Sequence, residues 1–234
     1  MERSYQDYID ILSENLPIVR KSIEDHKRAG QSVTLLAATK TVPVEVINYA
    51  IDTLGITCIG ENRVQELLEK YDSLHKDNVS IHFIGRLQTN KVKYIIDKVS
   101  MIHSLDSLSL AEEIEKQAAK HDLVMDVLVE INSGCEENKS GLYPDEVSAF
   151  CAELSKFPHI NLRGFMTMAP KCEKKADYQK YFQKTYRQCL DIWQKNLHNI
   201  GEPILSMGMS DSFEAAIEEG ADIVRIGRAL FQER

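Results

Sequence analysis

Two textures alternate along this chain. Short apolar or β-branched runs appear as VTLLAAT (33–39), ITCIG (56–60), IHFIG (81–85), MIHSL (101–105), MDVLVEIN (125–132), INLRGFM (160–166), PILSMG (203–208) and DIVRIG (222–227). Longer segments between them repeat at helical spacing. SLAEEIEKQAAKH (109–121) brings Leu110, Ile114 and Ala118 to one face. DYQKYFQKTYRQCLDIWQK (177–195) repeats Tyr178, Tyr181, Phe182, Tyr186, Cys189 and Trp193 at three- and four-residue steps, the stripe a helix needs to pack on a sheet. Strands separated by helices predict a parallel sheet, and the near absence of polar interruptions says that both of its faces are covered. Eight such units predict an α/β fold of one closed (β/α)8 TIM barrel. The rival, an open doubly wound sheet, usually carries G-x-G-x-x-G after its first strand, and none follows VTLLAAT.

Punctuation residues refine the picture. SYQDYIDILSENLPIVRKSIEDHKRAG (4–30) predicts an extra N-terminal helix or helix pair, with Pro17 as a start or kink and Gly30 as the stop. Pro43 suits the first turn of the helix after strand one. Asp211 and Glu214 form a D-x-x-E start, with Gly220 the matching stop. No linker or break in composition interrupts the chain, so a single domain over residues 1–234 is expected.

Composition narrows the function classes. Hydrophobic residues make up 43% and charged residues 27%, as in ordinary globular proteins. A formal net charge of −8 argues against nucleic acid as a partner, and any phosphorylated ligand needs local positive potential to offset it. The amino terminus lacks a signal-peptide core, and no apolar run approaches the roughly 20 residues of a membrane span, so a cytoplasmic protein with no membrane partner is expected. Five cysteines without C-x-x-C fit reduced thiols, small and buried or half-buried. Seven histidines without H-E-x-x-H or a close pair give no metal site.

Candidate chemistry gathers where a (β/α)8 barrel does its work, at the carboxyl ends of the strands. Lys40 ends strand one; Glu61 and Asn62 follow strand two; Arg86, Gln88, Thr89 and Asn90 follow strand three. Ser104 and Asp106 end strand four, Asn132, Lys139 and Ser140 follow strand five, and Met166 and Thr167 end strand six. In SMGMSDSFEAAIEEG and DIVRIGRALF a glycine turn leads into a helix start, at Ser210–Asp211 and at Gly227–Arg228. Unpaired N–H groups at two neighbouring helix starts suit a phosphate, and loops seven and eight are this barrel's recurrent phosphate site. Gly208 and Gly227 let the backbone approach an oxyanion, and the Ser210 hydroxyl can donate. With a phosphate cradle across the mouth, Lys40 is a candidate Schiff-base amine, expected to be buried against Leu36 and Ala38 and so to have a lowered pKa. These residues describe a barrel that binds a phosphorylated carbonyl compound covalently, which covers both a sugar-phosphate aldolase and a pyridoxal phosphate protein.

Longer motifs choose between them. AATKTVP (37–43), GENRVQE (60–66), HFIGRLQTNK (82–91), IHSLD (102–106), INSGCEENKSGL (131–142), GFMTMAP (164–170) and LSMGMSDSFEAAIEEGADIVRIG (205–227) together resemble the YggS/PROSC family of pyridoxal phosphate homeostasis proteins. That family is similar in fold to the N-terminal barrel domain of alanine racemase. The resemblance implies that Lys40 holds pyridoxal 5′-phosphate as a Schiff base. It implies that Ser210, Gly227 and nearby main-chain N–H groups hold the phosphate, and that Asn62 and Met207 line the pocket. It places Arg225 by the pyridine nitrogen, where a permanently charged donor would keep that nitrogen unprotonated and the ring a weak electron sink. One departure is Arg228, where the family often has a small hydroxyl residue; arginine there either replaces that phosphate contact or points away.

The resemblance also bears on turnover. Racemisation needs acid/base groups on both faces of the cofactor, and in the alanine racemase pattern the second is a tyrosine from another domain of the partner subunit. This chain ends at Arg234, seven residues past Gly227, so that domain is expected to be absent, and Tyr49, Tyr71, Tyr94 and Tyr143 sit in no motif that suggests a substitute. The expectation is a monomeric protein without catalytic residues that buffers or delivers the cofactor in vitamin B6 and amino-acid balance, with apo forms of pyridoxal phosphate-dependent enzymes as partners. The alternatives are a weakly active racemase or decarboxylase and a scaffold with a vestigial site.

Overall fold

Chain order and spatial order coincide. In the computed structural model, which describes residues 4–195 and 203–233, eight parallel strands close into a barrel in the sequence β1 to β8. They are β1 (Thr34–Ala38), β2 (Cys58–Glu61), β3 (Ser80–Phe83), β4 (Met101–Leu105), β5 (Met125–Ile131), β6 (Ile160–Thr167), β7 (Ile204–Ser206) and β8 (Ile223–Ile226). β8 closes on β1 with Leu36 opposite Arg225 and Ala37 opposite Ile226. The predicted barrel and its N-terminal helix are both present; the predicted domain bounds, residues 1 and 234, fall outside the described residues.

Alternate strand residues point to opposite faces, and the core divides accordingly. Leu36, Cys58, Ile84 and Ile223 form one small cluster, and Met101, Leu128 and Met166 another, both made of barrel-strand positions or their immediate continuations. These fill the barrel. The other set, including Ala37, Ile59, Phe83, Val127, Phe165 and Val224, joins the helices in one large outer core. The predicted stripe on α6 (Lys175–Gln194) supplies its Tyr178, Phe182 and Cys189 to that core, while Tyr181, Tyr186 and Trp193 are only partly buried. Of the five cysteines Cys135 is exposed, against the expectation for small core residues.

Local signals were read correctly in some places and overridden in others. α1 (Tyr5–His26) starts with a reciprocal capping box between Ser4 and Asp7 and runs unbroken through Pro17. An interior proline costs about 3 kcal/mol. The buried faces of Leu12, Leu16, Val19 and Ile23 each contribute about 1.5–3 kcal/mol and outweigh it, so one helix forms instead of a pair. Gly30 is not the stop: the helix ends at His26, and Gly30 takes the left-handed φ of 78° in the following turn. α2 (Val44–Asp52) is preceded by Pro43, which occupies the cap position. A six-residue 3-10 turn, Thr89–Tyr94, joins β3 to β4 in place of a helix. α7 (Phe213–Glu218) begins after Ser212, so Asp211 and Glu214 do not form its cap. Its end is as expected: Gly220 N–H donates to Ile217 O and Ala221 N–H to Ala216 O, with Gly220 at φ 97°.

Candidate functional site

Lys40 lies two residues beyond Ala38 and four beyond Leu36, so the two-residue period carries it to the inner side of the barrel mouth. There it lines a cavity of about 450 Å³ together with Asn62, Ser210, Arg225, Gly227 and Arg228. The expected burial of Lys40 is corrected: the residue is exposed at the rim, because β1 ends at Ala38 and the side chain stands above the packed interior.

What holds Lys40 is a charged cluster on the outer side of the same strand end. Lys70, on α3 (Val64–Tyr71), donates to Thr39 O at 2.9 Å, to Glu61 Oε1 at 3.0 Å and to Glu66 Oε1 at 2.8 Å. Thr39 Oγ1 donates to the same Glu61 oxygen at 2.7 Å, and its N–H to Gly60 O at 3.0 Å. On the other flank Thr41 adopts a left-handed φ of 61°, unusual for a β-branched residue, and its N–H donates to Glu66 Oε1. Both neighbours of Lys40 are therefore tied to one ammonium–dicarboxylate cluster. Burial pushes the Glu61 carboxyl up, while Lys70 and the Thr39 hydroxyl act in the opposite sense. Glu61, expected at the site with Asn62, has the other parity and serves this clamp instead.

The turns after β7 and β8 are stitched together. Ser210 Oγ accepts from Ala229 N–H at 3.1 Å, and Ser212 Oγ from Met209 N–H at 3.1 Å. The N–H groups of Ser210 and Asp211 have no partner among the described residues. The turn after β8 adjoins β1, since a Cβ added at Gly227 would lie 3.3 Å from Ala38 O, and β7 is the next strand round; these turns stand on the Lys40 side of the mouth, not across it. Arg228 pairs with Asp211 in an exposed salt bridge, so its charge is already compensated.

Arg225 forms part of the cavity floor. Its Nη1 donates to Ser206 O and Oγ, each at 2.7 Å, and its Nη2 to Thr167 O at 2.9 Å. Ser206 Oγ, which accepts from Arg225, also lies 3.1 Å from His103 Nδ1. His103 Nε2 in turn lies 2.9 Å from His82 Nδ1, so one hydrogen-bonded chain joins the guanidinium to both rings. Burial pushes the Arg225 guanidinium down to about 10, against the pull of Glu130, and it stays charged at neutral pH. Burial also pushes His82 down to about 4 and His103 well below the usual range, so both rings are neutral.

Met207 is not brought to the cavity: odd parity on β7 turns it outward, where it is buried in the helix-facing core. Among the lining residues that sequence reasoning passed over are Glu130 and Met168. Glu130 is buried, accepts from Ser140 Oγ at 2.9 Å, and burial raises its carboxyl. Both share the inward parity of Leu128 and Met166, and that signal would have found them.

The donor set suits a phosphorylated aromatic aldehyde. The Lys40 amine at a strand end, free N–H groups beside a serine hydroxyl, a charged donor in the floor and apolar panels from Ala38, Ile84 and Ala169 share one cavity, with Lys139 and Lys171 on its loop side. Comparison with known proteins agrees. The alanine racemase N-terminal domain family matches residues 12–234. The pyridoxal phosphate homeostasis protein of Aquifex aeolicus is 47% identical over 223 residues, spanning 95% of this chain and 96% of that protein. The structure of PipY from Synechococcus elongatus with pyridoxal phosphate bound is 29% identical, with a TM-score of 0.82 over 94% of this chain and 99% of PipY. Alanine racemase of Clostridium difficile shares the fold, with a TM-score of 0.73 at 19% identity over 96% of this chain and 57% of the racemase. By its sequence and its barrel, this chain belongs to the family of pyridoxal phosphate homeostasis proteins.

Proposed function

We propose that this protein binds pyridoxal 5′-phosphate covalently through Lys40 and holds it for delivery, without substantial turnover of amino acids. The observation that carries the reading is the meeting, in one cavity, of the Lys40 amine with Ser210, Gly227 and the buried donor Arg225. The cofactor, when bound, supplies an aldehyde that condenses with a primary amine and a ring that delocalises charge. Lys40 presents that amine from a clamped strand end. Ser210 Oγ–H and the free N–H groups of Ser210 and Asp211 give the phosphate its donors. Arg225, held by three hydrogen bonds and charged at neutral pH, offers a fixed donor to the pyridine nitrogen. Arg228, engaged by Asp211, contributes little. The names of the relatives support a homeostatic role, and we extend it to a cytoplasmic monomer whose recipients are apo-enzymes.

Transfer tests this reading. Loaded protein is mixed with an apo-enzyme in the presence of a trap for free pyridoxal phosphate, and amino acids are assayed in parallel for racemisation and decarboxylation. The expected result is recovery of apo-enzyme activity despite the trap, with no amino-acid turnover. Turnover abolished by Lys40→Ala would replace the carrier reading with an enzymatic one.

A further inference from the structure

A second cavity, of about 720 Å³, opens at the barrel mouth outside the ends of β2, β3 and β4, and Asn62 is the wall it shares with the Lys40 cavity. GENRVQE and HFIGRLQTNK, two motifs that carried the family resemblance, supply most of its lining. The Lys40 cavity takes Asn62 and Ile84 from them, and the clamp behind Lys40 takes Glu61 and Glu66. Three cations line this cavity, Arg63, Arg86 and Lys91, against a single carboxylate, Asp106. Among the described residues none of the three lies within 4.0 Å of a carboxylate, although Arg63 acts at longer range on Glu66 and Arg86 on Glu130. Elsewhere on the surface lysines and arginines are commonly paired, as in Lys21–Asp25, Lys156–Glu153 and Arg163–Asp126. In a protein of net charge −8, a concave site lined by cations without a carboxylate in salt-bridge contact, Lys91 lying only over the Tyr94 ring, is a local reversal of the field.

We propose that this outer cavity is an anion site that takes a phosphate-bearing small molecule. Two guanidinium forks match phosphate oxygens in bidentate geometry, and Lys91 adds a point charge. Gln88 and Asn90 at the rim add neutral donors able to hold hydroxyl or carbonyl groups of the same molecule. The volume falls in the range of about 300–1,000 Å³ typical of small-molecule sites. The site stands on its own geometry and does not depend on what Lys40 binds.

Calorimetric titration of the full chain with inorganic pyrophosphate at low ionic strength tests it, with citrate as the carboxylate comparison. The expected result is a saturable site that prefers pyrophosphate to citrate and persists when pyridoxal phosphate fills the inner cavity. Arg86→Gln combined with Lys91→Gln should weaken it by about tenfold or more, the loss of one or two charge-assisted hydrogen bonds. Ser210→Ala, in the inner cavity, should leave that site unchanged. All three cationic side chains sit at the surface, and unchanged thermal melting confirms that a variant is folded; Arg63→Gln serves as an independent second variant. Absence of saturable heat at millimolar pyrophosphate overturns the proposal, as does equal affinity for citrate. Binding lost in Ser210→Ala but kept in the Arg86/Lys91 variant also overturns it, because the anion would then belong to the inner cavity.

Discussion

Lys70 Nζ lies 2.9 Å from the carbonyl oxygen of Thr39, the residue immediately before Lys40, and 3.0 Å from the buried carboxylate of Glu61. One ammonium group thus ties the end of β1 to the end of β2. Lys70→Met would leave Glu61, 1% exposed, without its counter-charge. Breaking such a pair costs about 3–5 kcal/mol, whereas removing both charges is often close to neutral. Urea unfolding should therefore show a large loss for Lys70→Met and a partial recovery when Glu61→Gln is added. Attachment of pyridoxal phosphate, followed by absorbance, should be slower in both variants, since neither keeps the Thr39 carbonyl fixed.

The buried histidines make stability depend on pH. His82 is held near 4 when folded and titrates near 6.5 when unfolded, so unfolding takes up protons as the solution becomes acidic. The stability from keeping it neutral is complete above about pH 6.5 and is lost as pH falls toward 4, on the order of 3 kcal/mol. His103 adds to the same trend. Urea midpoints measured between pH 7 and pH 4 should fall, and His82→Gln should flatten that slope.

Ser210→Ala and Arg228→Ala should differ sharply. Ser210 accepts from Ala229 N–H, joining two turns, and in the proposed binding mode its hydroxyl also serves the phosphate. Its loss should weaken pyridoxal phosphate binding by about tenfold. Arg228 is 60% exposed and already paired with Asp211, so its removal should change affinity by less than about threefold. Equilibrium dialysis of the two variants decides this.

Gly85 sets the position of Asn62. A Cβ there would come within 2.0 Å of the Asn62 carbonyl oxygen. Gly85→Ala must therefore displace the wall common to both cavities, and its expected signature is weaker cofactor binding together with a lower melting temperature. A variant that binds as tightly as the parent would show that Asn62 is not needed where it stands.

Much of this site was legible as parity. Lys40, Asn62, Arg225 and Gly227 share the inward phase of strands whose outward phase faces helices, and the same rule, applied strictly, excludes Met207 and Glu61 and includes Glu130. Glu130 was passed over because it sits in the apolar run LVEIN and reads as a strand interruption. The clamp was not legible, because Lys70 reaches Thr39 across 31 positions of sequence through a helix whose packing only the fold determines. Pro17 misled for a related reason, since local propensity lost to the buried face of α1. The outer cavity was half visible: its cations were in view, but not that the loops after β2 and β3 bring them to one hollow.

Borohydride reduction of the loaded protein, followed by peptide mass mapping, bears most directly on Lys40. The account predicts one reduced pyridoxal phosphate adduct, on the peptide containing Lys40, and none in Lys40→Ala. An adduct on another lysine, or loaded protein with Lys40 unmodified, would contradict it.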